Sequence, residues 1–354
     1  MSGMSRQLLH VRLQNMYKPG KHILVIGITG GGKTSTLFKL IYNLYKQKET
    51  VIWRDDANLE FLSFADIIPL KVFLPEGCTL HHEHPNVTYV PFDHTRLSRL
   101  FPQLERDSLN VILFDLFTLS HKTSVLFWTE FFQEIYRYKR SRIEEPWAVV
   151  IDELNDLAPG TRRGFIQGQL TLSSNIYHSA KKFRKMNLRL VGSTHNYNDL
   201  HPPLRAQFNY YLFKAMRRDM VPERFWMYAH KIEALPIGEI WIVDEGGRFQ
   251  MGVTWSEYSV HHLDRRLIRL SPKRIGLPWS GEVKEPDKKR KVEAKWRSRC
   301  VKLAGLLIEH EVVKGYADLA ELLGLSDSYV WKLLKSSGDV DEGSVKFVGD
   351  ESDR

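Results

Sequence analysis

The sequence predicts an α/β protein with a mostly parallel sheet, followed by a small all-α domain at its C-terminal end. Three observations predict it. Short apolar runs alternate with longer stretches of helical spacing, and strands that alternate with helices build parallel sheets covered on both faces. The 354 residues are 43% apolar, enough for one large core plus an appendage. A break rich in proline and lysine then separates this pattern from a compact helical stretch.

Residues 1–20 are polar and basic, with Arg6, Arg12 and Lys18, and read as an N-terminal arm. An apolar strand is expected over 22–26, ending in glycines. The helix expected next, over 33–46, places Leu37, Leu40, Ile41 and Leu44 on one face. Further strands are expected over 50–53, 70–74, 87–90, 111–114, 148–151, 188–191, 210–213 and 240–243, so that residues 21–270 form one domain. Segment 271–292 holds Pro272, Pro278, Pro286 and the run Lys288-Lys289-Arg290-Lys291, and reads as a linker. Residues 293–340 form the helical domain and 341–354 a polar, acidic tail.

The net charge of +9 favours polyanionic partners, which is a statement about association and not about fold. The two cysteines, Cys78 and Cys300, lie in no metal-ligand spacing, which argues against a disulfide framework and for a reducing, cytoplasmic setting, the host cytoplasm for a viral protein. His81, His82 and His84 cluster in a loop-like stretch without a supporting constellation of carboxylates, which argues against a metal site. The N-terminus lacks a signal-peptide core and the apolar runs are too short to span a bilayer, so a membrane role would need an anchoring partner.

Gly27-Ile28-Thr29-Gly30-Gly31-Gly32-Lys33-Thr34 matches G-x-x-x-x-G-K-[ST] in full, between an apolar strand and a helix. Glycines let the backbone curl so that successive N–H groups face a phosphate, and the helix N-terminus adds its positive dipole end. Gly27, Thr29, Gly30, Gly31, Gly32, Lys33, Thr34 and Ser35 are therefore the expected ATP-binding residues, with Lys33 on the β- and γ-phosphates and the Thr34 hydroxyl on Mg²⁺. An apolar strand over 148–151 runs into Asp152-Glu153; the first acid is a candidate Mg²⁺ ligand and the second a candidate general base. Asp115, at the end of the run 111–114, competes for this role, but no second acid follows it directly.

The strand over 188–191 continues into Gly192-Ser193-Thr194-His195, where a polar side chain could sense the γ-phosphate. An Arg-Ala-x-Phe stretch follows at Arg205–Phe208, then Leu235-Pro236-Ile237-Gly238-Glu239. In this order of features the chain resembles the FtsK–HerA superfamily of DNA-pumping ATPases over most of residues 21–255, and its compact size is more similar to viral genome-packaging or HerA-type motors than to cell-division translocases. The resemblance implies a RecA-like P-loop NTPase domain that assembles as a homo-oligomeric ring, a hexamer favoured, around double-stranded DNA. His195 stands where that family commonly has glutamine. The resemblance also implies an arginine acting on the neighbouring subunit's ATP, for which Arg205 ranks first, ahead of Arg217 and Arg218, with Arg162 and Arg163 behind. A capsid, nuclease or membrane partner fits such a motor.

Residues 316–334 have helix-turn-helix spacing: Ala320 is small at the crossing, Gly324 suits the turn, and Ser326 or Asp327 can cap the second helix. A winged form would extend it. Ser328, Tyr329, Lys332 and Lys335 are the candidate DNA contacts. A helical hairpin for protein contact remains the alternative. Three functions are thus on the table: a DNA translocase, a nucleotide-switched transcription regulator, and an ATPase of assembly or secretion.

Overall fold

The computed structural model describes residues 13–55, 59–118, 120–160, 166, 168–236, 238–244, 247–252 and 269–270. The linker, the helix-turn-helix with Ser328, Tyr329, Lys332 and Lys335, the acidic tail, and Arg162 and Arg163 lie outside the described residues.

Ten strands form one sheet. They are β1 (Ile23–Ile26), β2 (Thr50–Arg54), β3 (Leu70–Pro75), β5 (Val87–Phe92), β6 (Leu109–Ile112), β7 (Trp147–Ile151), β8 (Leu188–Thr194), β9 (Tyr210–Phe213), β10 (Glu239–Asp244) and β11 (Gly247–Gly252), in the spatial order β11-β10-β9-β1-β8-β7-β2-β6-β3-β5. Every neighbouring pair from β9 to β5 is parallel. Of these ten strands β10 alone runs the other way, antiparallel to both β9 and β11 at one edge. The short β4 (Leu80–His81) pairs separately with β12 (Arg269–Leu270).

Alternation along each strand divides the core in two. Ile23, Val25, Val51, Trp53, Val150 and Val191 face α1 (Lys33–Lys46), whose Leu37, Phe38, Ile41 and Leu44 complete that layer. Leu24, Ile26, Ile52, Val149, Ile151 and Leu190 share the other layer with α2 (His121–Lys139) and α3 (Gln169–Phe183), through Phe127, Trp128, Phe131, Leu172, Ile176 and Phe183. Strands buried on both faces can be apolar throughout, which is why they are legible as unbroken runs. The α/β architecture and its mostly parallel sheet are therefore as expected.

One strand is displaced. The run expected over 111–114 pairs instead as Leu109–Ile112, because Asn110 satisfies itself inside the strand: its Nδ2 donates to the Val51 and Glu105 carbonyls and its Oδ1 accepts from the Glu105 amide. Phe114 has turned out of the sheet and stacks on Phe127 with ring centroids 3.8 Å apart. Strand β8 extends three residues past the expected end, carrying Gly192, Ser193 and Thr194 to its tip. Among the described residues no helix is long and apolar enough to cross a membrane.

Candidate active site

The carboxyl ends of parallel strands gather the loops in which open α/β folds bind ligands. Here β8 lies between β1, which feeds the glycine loop, and β7, which feeds Asp152-Glu153. The two candidate halves are thus one strand apart, and the tip of β8 joins them.

Leaving β1, Gly27 still donates its N–H to the Thr194 carbonyl, 3.3 Å away. The chain then curls through Gly30 and Gly32, at φ +73° and +82°, into α1. L-residues rarely take this conformation, so glycine is required there. No side chain caps α1, and its first turn contains no acid. The N–H groups and dipole of this helix end therefore face the loop with no capping side chain among the described residues.

The Thr34 hydroxyl donates to Asp152 Oδ2 at 2.8 Å. The other carboxylate oxygen of Asp152 accepts from the Ser193 hydroxyl and, at 3.1 Å, from the Glu153 amide. Asp152 is 6% exposed. The chain turns at Glu153 through a left-handed conformation, φ 48° and ψ 56°, and the Glu153 amide also donates to Ser193 Oγ at 3.0 Å.

Glu153, Lys33 and His195 close a triangle. Lys33 Nζ donates to His195 Nδ1 at 2.8 Å, His195 Nε2 lies 3.0 Å from Glu153 Oε1, and Lys33 Nζ is 3.7 Å from the same oxygen. An ammonium can only donate, so Nδ1 accepts and the imidazole proton sits on Nε2, facing the glutamate. Burial, and then the Lys33 charge, lower the His195 pKa and keep the ring neutral. Burial also lowers the Lys33 pKa, against the opposing pull of Glu153 and Asp152. Thr29 Oγ1 reaches His195 Nδ1 at 3.4 Å.

Thr34 and Asp152 offer hard oxygen donors, the type Mg²⁺ takes together with phosphate oxygens and water. Among the described residues no group of three His, Cys, Asp or Glu side chains could hold a metal, the 81–84 histidines included.

Asp115 has another employment. Its carboxylate accepts from Arg54 Nε at 2.8 Å, Ser124 Oγ at 2.5 Å and Trp128 Nε1 at 3.1 Å. It thereby ties β2 and α2 together, while Arg54 Nη1 reaches the Asp152 carbonyl at 3.4 Å. Arg205 donates to the Leu200 carbonyl and to Asn198 Oδ1, both at 2.7 Å, and its guanidinium lies 5.0 Å from the Tyr197 ring. None of its hydrogen bonds among the described residues goes to the phosphate loop. Arg217 is exposed and pairs with Asp219 at 2.7 Å. Two contacts near the loop were not readable from the sequence. Ser193 belonged to the polar strand tip, but its bond to Asp152 had no signal along the chain, and Lys214 follows the apolar β9 with nothing in the local pattern to mark it.

No family model matches the chain, and no curated protein does. Solved structures similar to it include B204, the DNA-packaging ATPase from Sulfolobus Turreted Icosahedral Virus, at 16% identity and TM-score 0.43, covering 66% of this chain and 97% of that one. The bacterial conjugative coupling protein TrwBdeltaN70 is 11% identical at TM-score 0.47, covering 69% and 87%. The pCW3 conjugation coupling protein TcpA, solved as a monomer with ATPgS, is 13% identical at TM-score 0.40, covering 71% and 65%.

Proposed function

We propose that the chain is an ATP hydrolase that drives double-stranded DNA through a homo-oligomeric ring. The observation that carries the hydrolase is the meeting of Thr34, Asp152, Lys33, Glu153 and His195 at the carboxyl ends of β1, β7 and β8. The loop amides from Gly27 to Thr34 cradle the phosphates of ATP, and Lys33 neutralises the β- and γ-oxygens. A bound Mg²⁺, held through Thr34 and Asp152, would supply charge neutralisation on those oxygens. Glu153 orients and deprotonates the attacking water.

Within the chain, Lys33 is engaged by His195 and Glu153. Phosphate recruits Lys33 away, which releases the Glu153 carboxylate from that ion pair when a substrate is present. His195 follows, because its Nδ1 loses a donor while its Nε2–H still holds Glu153. This pairing makes His195 the residue that reports the phosphate to the base.

The net charge of +9 and the resemblance to DNA-pumping ATPases support DNA as the cargo. ATP turnover should rise on adding duplex DNA, with the stimulation fading as salt increases, and should vanish in Lys33→Ala. Turnover indifferent to DNA at every ionic strength, yet raised by a protein partner, would point instead to an assembly or secretion ATPase.

A further inference from the structure

We infer that Lys214 is a second phosphate-binding cation, reaching the phosphate loop from β9 of the same chain; this rests on the nucleotide site described above. Lys214 is level with Gly27, one residue beyond the paired Ile26 and Phe213, and its amide donates to the Ile26 carbonyl at 2.8 Å. Its side chain runs beneath the loop. A Cβ at Gly27 would lie 2.6 Å from Lys214 Cβ, and a Cβ at Gly32 would lie 3.5 Å from its Cε and 3.7 Å from its Nζ. The first glycine of the loop is thus also the gap through which this lysine passes, and its ammonium ends beside the N-cap of α1.

Lys214 is only 3% exposed, yet its ammonium makes no hydrogen bond or ion pair among the described residues. A cation that keeps only a small face to solvent and has no partner is unfavourable, and a helix N-terminus beside it makes the placement worse. Lys33 differs, because His195 and Glu153 engage it. The uncapped, acid-free start of α1 and the Lys214 ammonium therefore share one missing complement, an anion at the loop. The phosphate chain of the nucleotide is the anion this loop is built to hold. Burial lowers the Lys214 pKa, and a bound phosphate would reverse that shift.

Lys214→Met keeps the length and apolar stem and removes the charge, so the test is binding of a fluorescent ATP analogue combined with melting of the free protein. Weakening of ATP and ADP binding by about tenfold or more, with an unliganded melting temperature equal to or above that of the wild type, is the expected result. A purely structural lysine would instead lower the melting temperature, and a variant that binds ATP like the wild type overturns the assignment while leaving the nucleotide site intact. Wild-type protein that binds no nucleotide at all sinks both. Lys214→Arg, whose bulk must also pass Gly27, controls for packing: a melting temperature that falls in this variant alone marks steric damage rather than lost charge.

Discussion

The two ends of the strand at the centre of the sheet are built on opposite plans. At its amino end, Arg189 is fully buried and forks onto Glu49 at 2.9 and 2.6 Å, with further bonds to the Met16 and Tyr17 carbonyls at 3.1 and 2.7 Å. Nearby, His22 accepts from the Leu190 amide at 2.9 Å and donates to the Ala180 carbonyl at 2.8 Å. Every group there has a fixed partner. At the carboxyl end, Lys33, His195 and Glu153 share partners within one triangle, and each could trade one contact for another. Stability is anchored where the bonds cannot be exchanged, and the proposed chemistry sits where they can.

Substitutions at the two ends should therefore separate turnover from stability. The largest effect is expected for Glu153→Gln, which should lower ATP turnover by about 10²–10⁴-fold, the range of a lost general base, while nucleotide binding and melting stay near wild type. Near-normal turnover would remove Glu153 from the chemistry. At the other end, Arg189→Met leaves the Glu49 carboxylate buried alone and should cost about 3–5 kcal/mol of unfolding free energy in denaturant titrations. Turnover per folded molecule should not change, and a loss of nucleotide affinity in the folded variant would break the division between the two ends.

Acid should act on the anchored end through two opposed groups: burial raises the Glu49 pKa to about 7 from 4.5, which favours the folded state as pH falls, while His22 works the other way. Burial lowers the His22 pKa to about 4 from 6.5, so the folded protein resists protonating a ring that the unfolded chain protonates readily. Stability from this group is complete above about 6.5 and drains as pH falls toward 4, by about 3 kcal/mol at the ~1.4 kcal/mol per unit of linkage. Unfolding midpoints between pH 7 and 4 check this; a His22→Gln variant should lose less stability on acidification than the wild type, because the opposing Glu49 contribution remains. The smallest effect is expected at His195. Glutamine can accept from Lys33 and donate to Glu153 as the neutral ring does, so His195→Gln should stay within about fivefold of wild-type turnover, and His195→Ala should fall further by roughly the worth of a lost hydrogen bond. Equal turnover in the two variants would show that the bridge to Glu153 is idle.

Much of the frame was legible because its strands are buried on both faces. Runs such as 50–53 and 210–213 needed only their apolar character to be read. The signal failed where polar residues entered the sheet. Asn110 broke the apolar run of β6, Ser193 and Thr194 hid the end of β8, and Arg248 and Gln250 concealed β11. The candidate site divided the same way. Gly27 to Thr34 follow a fixed spacing, and the structure brings the Asp152 carboxylate to the Thr34 hydroxyl, as the acidic doublet suggested. No pattern along the chain says that Asp115 is consumed by Arg54, Ser124 and Trp128, because those partners come from β2 and α2. Lys214 was silent for the same reason, since its surroundings belong to another strand's loop.

The left-handed turn at Glu153 sets two pressures against each other. A residue with a Cβ is held there against its own preference, at a cost on the order of 1 kcal/mol that glycine would not bear. Drift at this position should thus be pulled toward a sturdier protein with no carboxylate. On the proposed function the demand that holds an acid at this corner is the activation of water, and a lineage released from that demand would be expected to lose the glutamate early, with the surrounding scaffold the firmer for it.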